Sequence, residues 1–158
     1  VYMDALAKTG KYEVSDAIRT ALQGQYWGGY CDEASTAATI ARYERDYGYL
    51  IDTHTAVAAD VLAQYRAATG DETLTVFAST ASPYKFCNHV LTAIGQTPEG
   101  DGVELLEQLH SVSGVAIPRR LAALKGKERR FDLTCEKAGM DGVVLDFLRG
   151  KAGERGCG

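Results

Sequence analysis

The chain has 158 residues, 46% of them hydrophobic and 24% charged, with a formal net charge of −4. That composition is enough for one domain with its own core, and it excludes disorder as the state of the whole chain. No apolar run approaches the roughly 20 residues that span a bilayer, and the acidic balance offers no basic face to a phosphate backbone, so neither a membrane nor a nucleic acid is expected as partner. The one basic cluster, Lys125 to Arg130, reads as a solvated loop or helix end. Val1 to Lys11 lacks the basic, apolar and small-residue segments of a secretory signal. Cys31, Cys87, Cys135 and Cys157 form no CxxC or Cys/His pair at ligand spacing, so no metal site is expected. Four reduced thiols in a cytoplasmic protein is the favoured reading; two disulfides remain open by count.

Taken in chain order, Ser15 to Gln23 reads as a short helix capped by Ser15 or Asp16. Asp32 precedes a longer helix with Ala37, Ile40, Tyr43 and Tyr47 along one side. Thr55 to Thr69 follows, and the spacing of Val57, Val61, Leu62 and Tyr65 predicts that it is substantially buried. Gly24, Gly48, Gly70 and Gly95 punctuate these helical segments. Thr73 to Ser79 is short, β-rich and the one convincing strand. Ser82 then supplies a cap oxygen, and Pro83 occupies the first position of a helix running from Tyr84 to Ile94, with Phe86, Val90, Leu91 and Ile94 at helical spacing.

Beyond Gly95, Asp101 and Glu104 have the spacing of a capping box for a helix from Gly102 to His110, and Pro118 starts another helical turn. Arg129 to Thr134 is a strand or an extended strap. Cys135 to Leu148 is a helix weakened by Gly139 and Gly142, with Met140, Val143, Val144, Phe147 and Leu148 as its apolar side, and Ala152 to Gly158 frays. A lone strand leaves its backbone groups unpaired on both edges. Gln25 to Tyr30 and Arg129 to Thr134 are the in-chain candidates to pair with it, yet neither alternates cleanly, so residues before Val1 are expected to complete the sheet.

Ligands in α/β proteins gather where a strand ends and a helix begins, and Ser79 and Thr80 stand at that point. The wording around them, Ser79-Thr80-Ala81-Ser82-Pro83-Tyr84-Lys85-Phe86, resembles one family. Gly29-Tyr30-Cys31-Asp32-Glu33, Gly48-Tyr49-Leu50-Ile51-Asp52-Thr53-His54-Thr55-Ala56-Val57, the leading stretch from Met3 to Val14 and the late Arg130-Phe131 fit the same pattern. Together they resemble the carboxyl-terminal part of threonine synthase of the bacterial and fungal type. The resemblance implies an α/β fold, mostly helical with one or few strands, belonging to a pyridoxal-phosphate enzyme of fold type II like the tryptophan synthase β chain. It divides the chain into a helical segment (1–47), a cofactor-site helix–strand–helix (48–100) and a helical extension (101–158).

By that resemblance the full-length enzyme converts O-phospho-L-homoserine and water to L-threonine and phosphate. Thr80 matches the neutral hydroxyl that meets the pyridine nitrogen, with Ser79 beside it. Asp52 matches the acidic residue near the pyridine side, His54 shares that turn, and Thr55 matches a small hydroxyl. The plain alternatives stay open: Thr80 satisfies a backbone group, Asp52 or Thr53 is only a helix cap, and His54 is structural. Lys85 is rejected as the Schiff-base lysine, which the family carries far upstream with its glycine-rich phosphate cradle; at most Lys85 helps to neutralise a substrate phosphate. No catalytic residue is therefore expected in this chain, which is predicted to be inactive alone and to partner the remainder of its own polypeptide.

Two other classes of protein share features with this sequence. Ser82-Pro83-Tyr84-Lys85 fits S-x-x-K and Lys8-Thr9-Gly10 spells K-T-G, but in the penicillin-recognising enzymes these occur in the opposite order. A non-catalytic helical interaction module presenting Tyr43, Tyr47, Tyr49 and Tyr65 is the alternative from another class. His89 and His110 read as surface or structural residues.

Overall fold

The computed structural model describes residues 1–128 and 133–150. Two compact units divide the chain, Val1–Ala122 and Ala123–Gly158. In the first, α1 (Tyr2–Thr9), α2 (Asp16–Gln23), α3 (Glu33–Tyr47), α4 (Thr53–Thr69), α5 (Cys87–Ala93), α6 (Gly102–Ser113) and α7 (Arg119–Ala122) are joined by loops, the longest of them following α4. The second holds a 3-10 turn, Lys137–Gly139, leading into α8 (Met140–Leu148).

The helix starts follow the local chemistry. Ser15 caps α2, its hydroxyl accepting from the Ile18 N–H at 3.4 Å. Asp32 caps α3, accepting from the Ser35 N–H at 2.8 Å. At α6 the Glu104 carboxylate accepts from the Asp101 N–H at 3.2 Å, the return arm of a capping box. Gly48 and Gly70 stop α3 and α4 at φ +60° and +71°, a left-handed turn that glycine enters without a Cβ penalty.

The core forms where α3 packs along α4 and α5, and α5 packs against α6. Ile40, Ala56, Val90, Leu91 and Leu109 are buried there with Leu50, Ile51, Tyr84, Leu105 and Leu106. The Tyr84 hydroxyl donates to the Val115 carbonyl, which also lies 2.8 Å from His110 Nδ1, so the chain after α6 is tied back onto the core.

Four expectations are corrected. No strand occurs among the described residues: residues 73–79 belong to no helix, turn or ladder, and Leu74 and Val76 are 90% and 88% exposed. Extended backbone becomes a strand only through a ladder, and the Gln25 to Tyr30 segment is irregular rather than a partner. Second, α4 buries its small face, Thr55, Ala56 and Ala59, because small side chains let α3 approach closely. Val57, Val61, Leu62 and Tyr65 are only half-buried. Third, the helix expected from Tyr84 to Ile94 is broken. Pro83–Lys85 form a 3-10 turn capped by Ser82, and Phe86 leaves helical geometry at φ −132° before α5 begins. Fourth, the helix expected from Cys135 shortens to α8 after the 3-10 turn that ends at Gly139. The Arg130-Phe131 pair, most of the Arg129 to Thr134 strap, the Ala152 to Gly158 tail and Cys157 lie outside the described residues.

Candidate functional site

The start of α4 gathers most of the polar residues that the sequence singles out. Asp52 precedes the helix in extended geometry, and its Oδ2 accepts from the N–H groups of His54 at 2.9 Å and Thr55 at 3.4 Å. This is an N-cap, which satisfies two donors that the helix cannot reach and sets a carboxyl at the positive end of its dipole. Its other oxygen, Oδ1, accepts from the Thr55 hydroxyl. Asp52 is 1% exposed, so these contacts consume it inside the fold.

From Thr55 the network crosses to the end of the segment that follows α4: Thr55 Oγ1 and Ser79 Oγ are 2.8 Å apart. A hydroxyl has one proton. Thr55 spends its own on Asp52, so Ser79 is the donor in this second bond. Thr80, the next residue, is exposed and makes no hydrogen bond among the described residues. The two adjacent hydroxyls are therefore different: Ser79 can only accept from an outside group, whereas Thr80 is free to donate.

His54 is exposed, and its ring meets Phe86 edge to face with centroids 5.1 Å apart. Lys85 ends the 3-10 turn and is exposed. The structure thus joins Asp52 and Ser79 through Thr55 and places Thr80 next in the chain; His54 lies on the same helix start but outside the relay. Thr55, which the resemblance matches only to a small hydroxyl, is the residue that links Asp52 to Ser79. Its signal was the Asp52/Thr55 spacing, which on a capped helix brings an i and an i+3 side chain together.

Neither Cys31 nor Cys87 is activated. Burial pushes the Cys87 thiol above its ordinary pKa, and the thiol donates to the Tyr84 carbonyl at 3.2 Å. Burial also raises Cys31; the Thr36 hydroxyl opposes this, and Asp60 adds to it by hydrogen bond and charge. A thiol held protonated is a poor nucleophile. Cys31, Cys87 and Cys135 are free, and no cluster of metal-ligating side chains occurs among the described residues. No helix there is long and apolar enough to cross a membrane.

Two of the concavities in this unit are lined in part by α4. One, of about 300 Å³, lies among Glu33, Thr36, Thr53, Asn88, His89 and Thr92. The other is an apolar groove of about 680 Å³ floored by the half-buried side of α4, including Val61, Leu62 and Tyr65, and edged by Trp27, Thr75 and Phe77.

This helical domain carries a buried capping carboxyl, a hydroxyl relay and an exposed hydroxyl at the end of the segment that follows α4. Comparison with protein families identifies it further: residues 55–140, more than half of the chain, match the family described as threonine synthase, C-terminal, and the chain belongs to that family. The match contains Thr55, Ser79, Thr80 and Lys85, and it begins just after Asp52 and His54.

Proposed function

We propose that this chain is the part of a threonine synthase that meets the ring of pyridoxal phosphate, in an enzyme of fold type II. The observation that carries the reading is the free hydroxyl of Thr80 beside the committed hydroxyl of Ser79, within a chain of this family. The donor set fits the group: what is offered outward is a neutral hydroxyl, and the nearby carboxyl of Asp52 is sealed at 1% exposure. When bound, pyridoxal phosphate supplies an electron sink for charge that develops beside the substrate amino group. Thr80 would donate to the pyridine nitrogen without protonating it, which keeps the ring less electron-withdrawing than a carboxylate partner would. Asp52 would act from within, orienting hydroxyls rather than touching the ring. His54 borders the same helix start, and Lys85 is the cation available to a substrate phosphate. The lysine that holds the cofactor covalently would come from a preceding part of the polypeptide. On this reading the whole cytoplasmic enzyme converts O-phospho-L-homoserine and water to L-threonine and phosphate, and the isolated chain is inactive.

A second reading, a helical module that binds another protein without catalysis, is favoured by Tyr47 and Tyr49, which are 71% and 64% exposed. Pyridoxal phosphate titration separates the two, followed by absorbance and by intact mass after borohydride reduction, on this chain and on the full-length gene product. A visible band with one fixed adduct in the full-length protein alone, together with phosphate release from O-phospho-L-homoserine, is the expected result. No adduct in either protein would favour the interaction module. An adduct on this chain at Lys85 would overturn the assignment of the lysine to a preceding segment.

A further inference from the structure

We propose that Thr55 is a positioning residue that holds the end of the segment following α4 and fixes which of its two hydroxyls donates; the proposal rests on the reading that Thr80 faces the cofactor ring. The segment has no ladder to hold it. Among the described residues, 76–81 make no hydrogen bond other than the one from Ser79 to Thr55, across 24 positions of sequence. Thr55 is 8% exposed and is itself held by Asp52, which two backbone N–H groups of α4 fix in turn. The helix start thus transmits its rigidity through one hydroxyl to the residue before Thr80.

The same relay sets polarity. With the Asp52 carboxyl at its inner end, every proton points inward: Thr55 to Asp52, then Ser79 to Thr55. Ser79 presents lone pairs outward, so it cannot compete with Thr80 for an acceptor such as an unprotonated ring nitrogen. If Thr55 lost its hydroxyl, the Ser79 proton would be released, and two donors on a loosened segment would address one acceptor.

The test uses the full-length protein with Thr55→Val, Thr55→Ser and Ser79→Ala. Ser79 is exposed, so its replacement removes the same bond without touching the interior. In the cofactor-free protein, backbone order parameters at residues 78–81 should fall below about 0.6, the range of flexible backbone, in Thr55→Val and in Ser79→Ala, and stay at the wild-type value in Thr55→Ser. Pyridoxal phosphate should bind about fivefold more weakly to Thr55→Val, the scale of one lost hydrogen bond, with recovery in Thr55→Ser. Unchanged order parameters in both Thr55→Val and Ser79→Ala overturn the proposal. A loosened segment with unchanged cofactor affinity overturns its positioning role. Wild-type protein that binds no pyridoxal phosphate removes the functional reading, and the order parameters then decide by themselves whether Thr55 anchors the segment.

Discussion

Asp32 and Asp52 perform one task at the starts of two helices that pack together, and they do it from opposite surroundings. Each sits in extended geometry one residue before its helix and accepts backbone N–H groups. The Asp32 carboxyl faces water, and the Ser35 N–H holds it below the usual carboxylate range. Asp52 is buried and carries the Thr55 hydroxyl in addition. Losing the Asp52 side chain takes the buried acceptor from two N–H groups and from the Thr55 hydroxyl. Asp52→Ala should therefore cost about 2 kcal/mol in urea unfolding, the upper range for a cap. Asp32→Ala should cost less, because water replaces the lost acceptor. Equal losses would mean that burial of the Asp52 network adds nothing to its worth.

Thr80 is exposed and unbonded, so loss of its hydroxyl should leave folding untouched, and on the proposed reading it should fall on the reaction instead. Thr80→Val in the full-length enzyme should leave thermal unfolding within about 0.5 kcal/mol of wild type while lowering turnover about ten- to a hundredfold. Steady-state phosphate release measured beside a thermal melt decides it. Wild-type turnover would remove Thr80 from the site.

Gly29 is a packing glycine. A Cβ there would lie 3.0 Å from Trp27 and from Val61 Cγ1, and 3.3 Å from Gln64 Oε1, whereas at Gly28 nothing lies within 4 Å. Gln64 also donates to the Tyr30 carbonyl at 2.9 Å, so the 25–30 loop is laid directly on α4. Gly29→Ala should lose about 1–3 kcal/mol by overpacking, and Gly28→Ala should be near neutral. Paired denaturant curves test the contrast; similar curves for the two would show that the loop simply moves away.

Asp71 fastens the end of α4 to the segment that follows it. Its carboxyl accepts from the Thr73 hydroxyl, from the Tyr65 hydroxyl at 2.7 Å and from the Thr73 N–H at 2.9 Å, and it is held at about 2, against an ordinary 3.8. The folded value lies below the unfolded one, so this contribution to stability is complete above pH 3.8 and disappears as pH falls through about 2. A carboxyl NMR titration should find the Asp71 midpoint near 2 in wild type and higher in Tyr65→Phe. The hydrogen bond to Asp71 likewise raises the pKa of Tyr65, so tyrosinate formation there should lag behind exposed tyrosines. An Asp71 midpoint unmoved by Tyr65→Phe would assign the shift to Thr73 and the charge of Arg66.

Caps, stops and the family were legible in the sequence because each is carried by residues a few positions apart. Asp32, Ser15 and Ser82 cap where their spacing predicts, Gly48 and Gly70 end their helices, and the Ser79 to Phe86 wording points to the family that residues 55–140 match. Tertiary structure alone decided the rest. Periodicity marks Val57, Val61, Leu62 and Tyr65 as an apolar side of α4, but which side α3 covers depends on how closely two backbones can approach, and Thr55, Ala56 and Ala59 allow the closer contact. β propensity at residues 73–79 favours extended backbone, but a strand exists only through a neighbour's hydrogen bonds, and no ladder forms there. The relay from Asp52 through Thr55 to Ser79 joins a local cap to a residue 24 positions beyond Thr55, and no short-range pattern encodes a contact made by folding the chain back on itself.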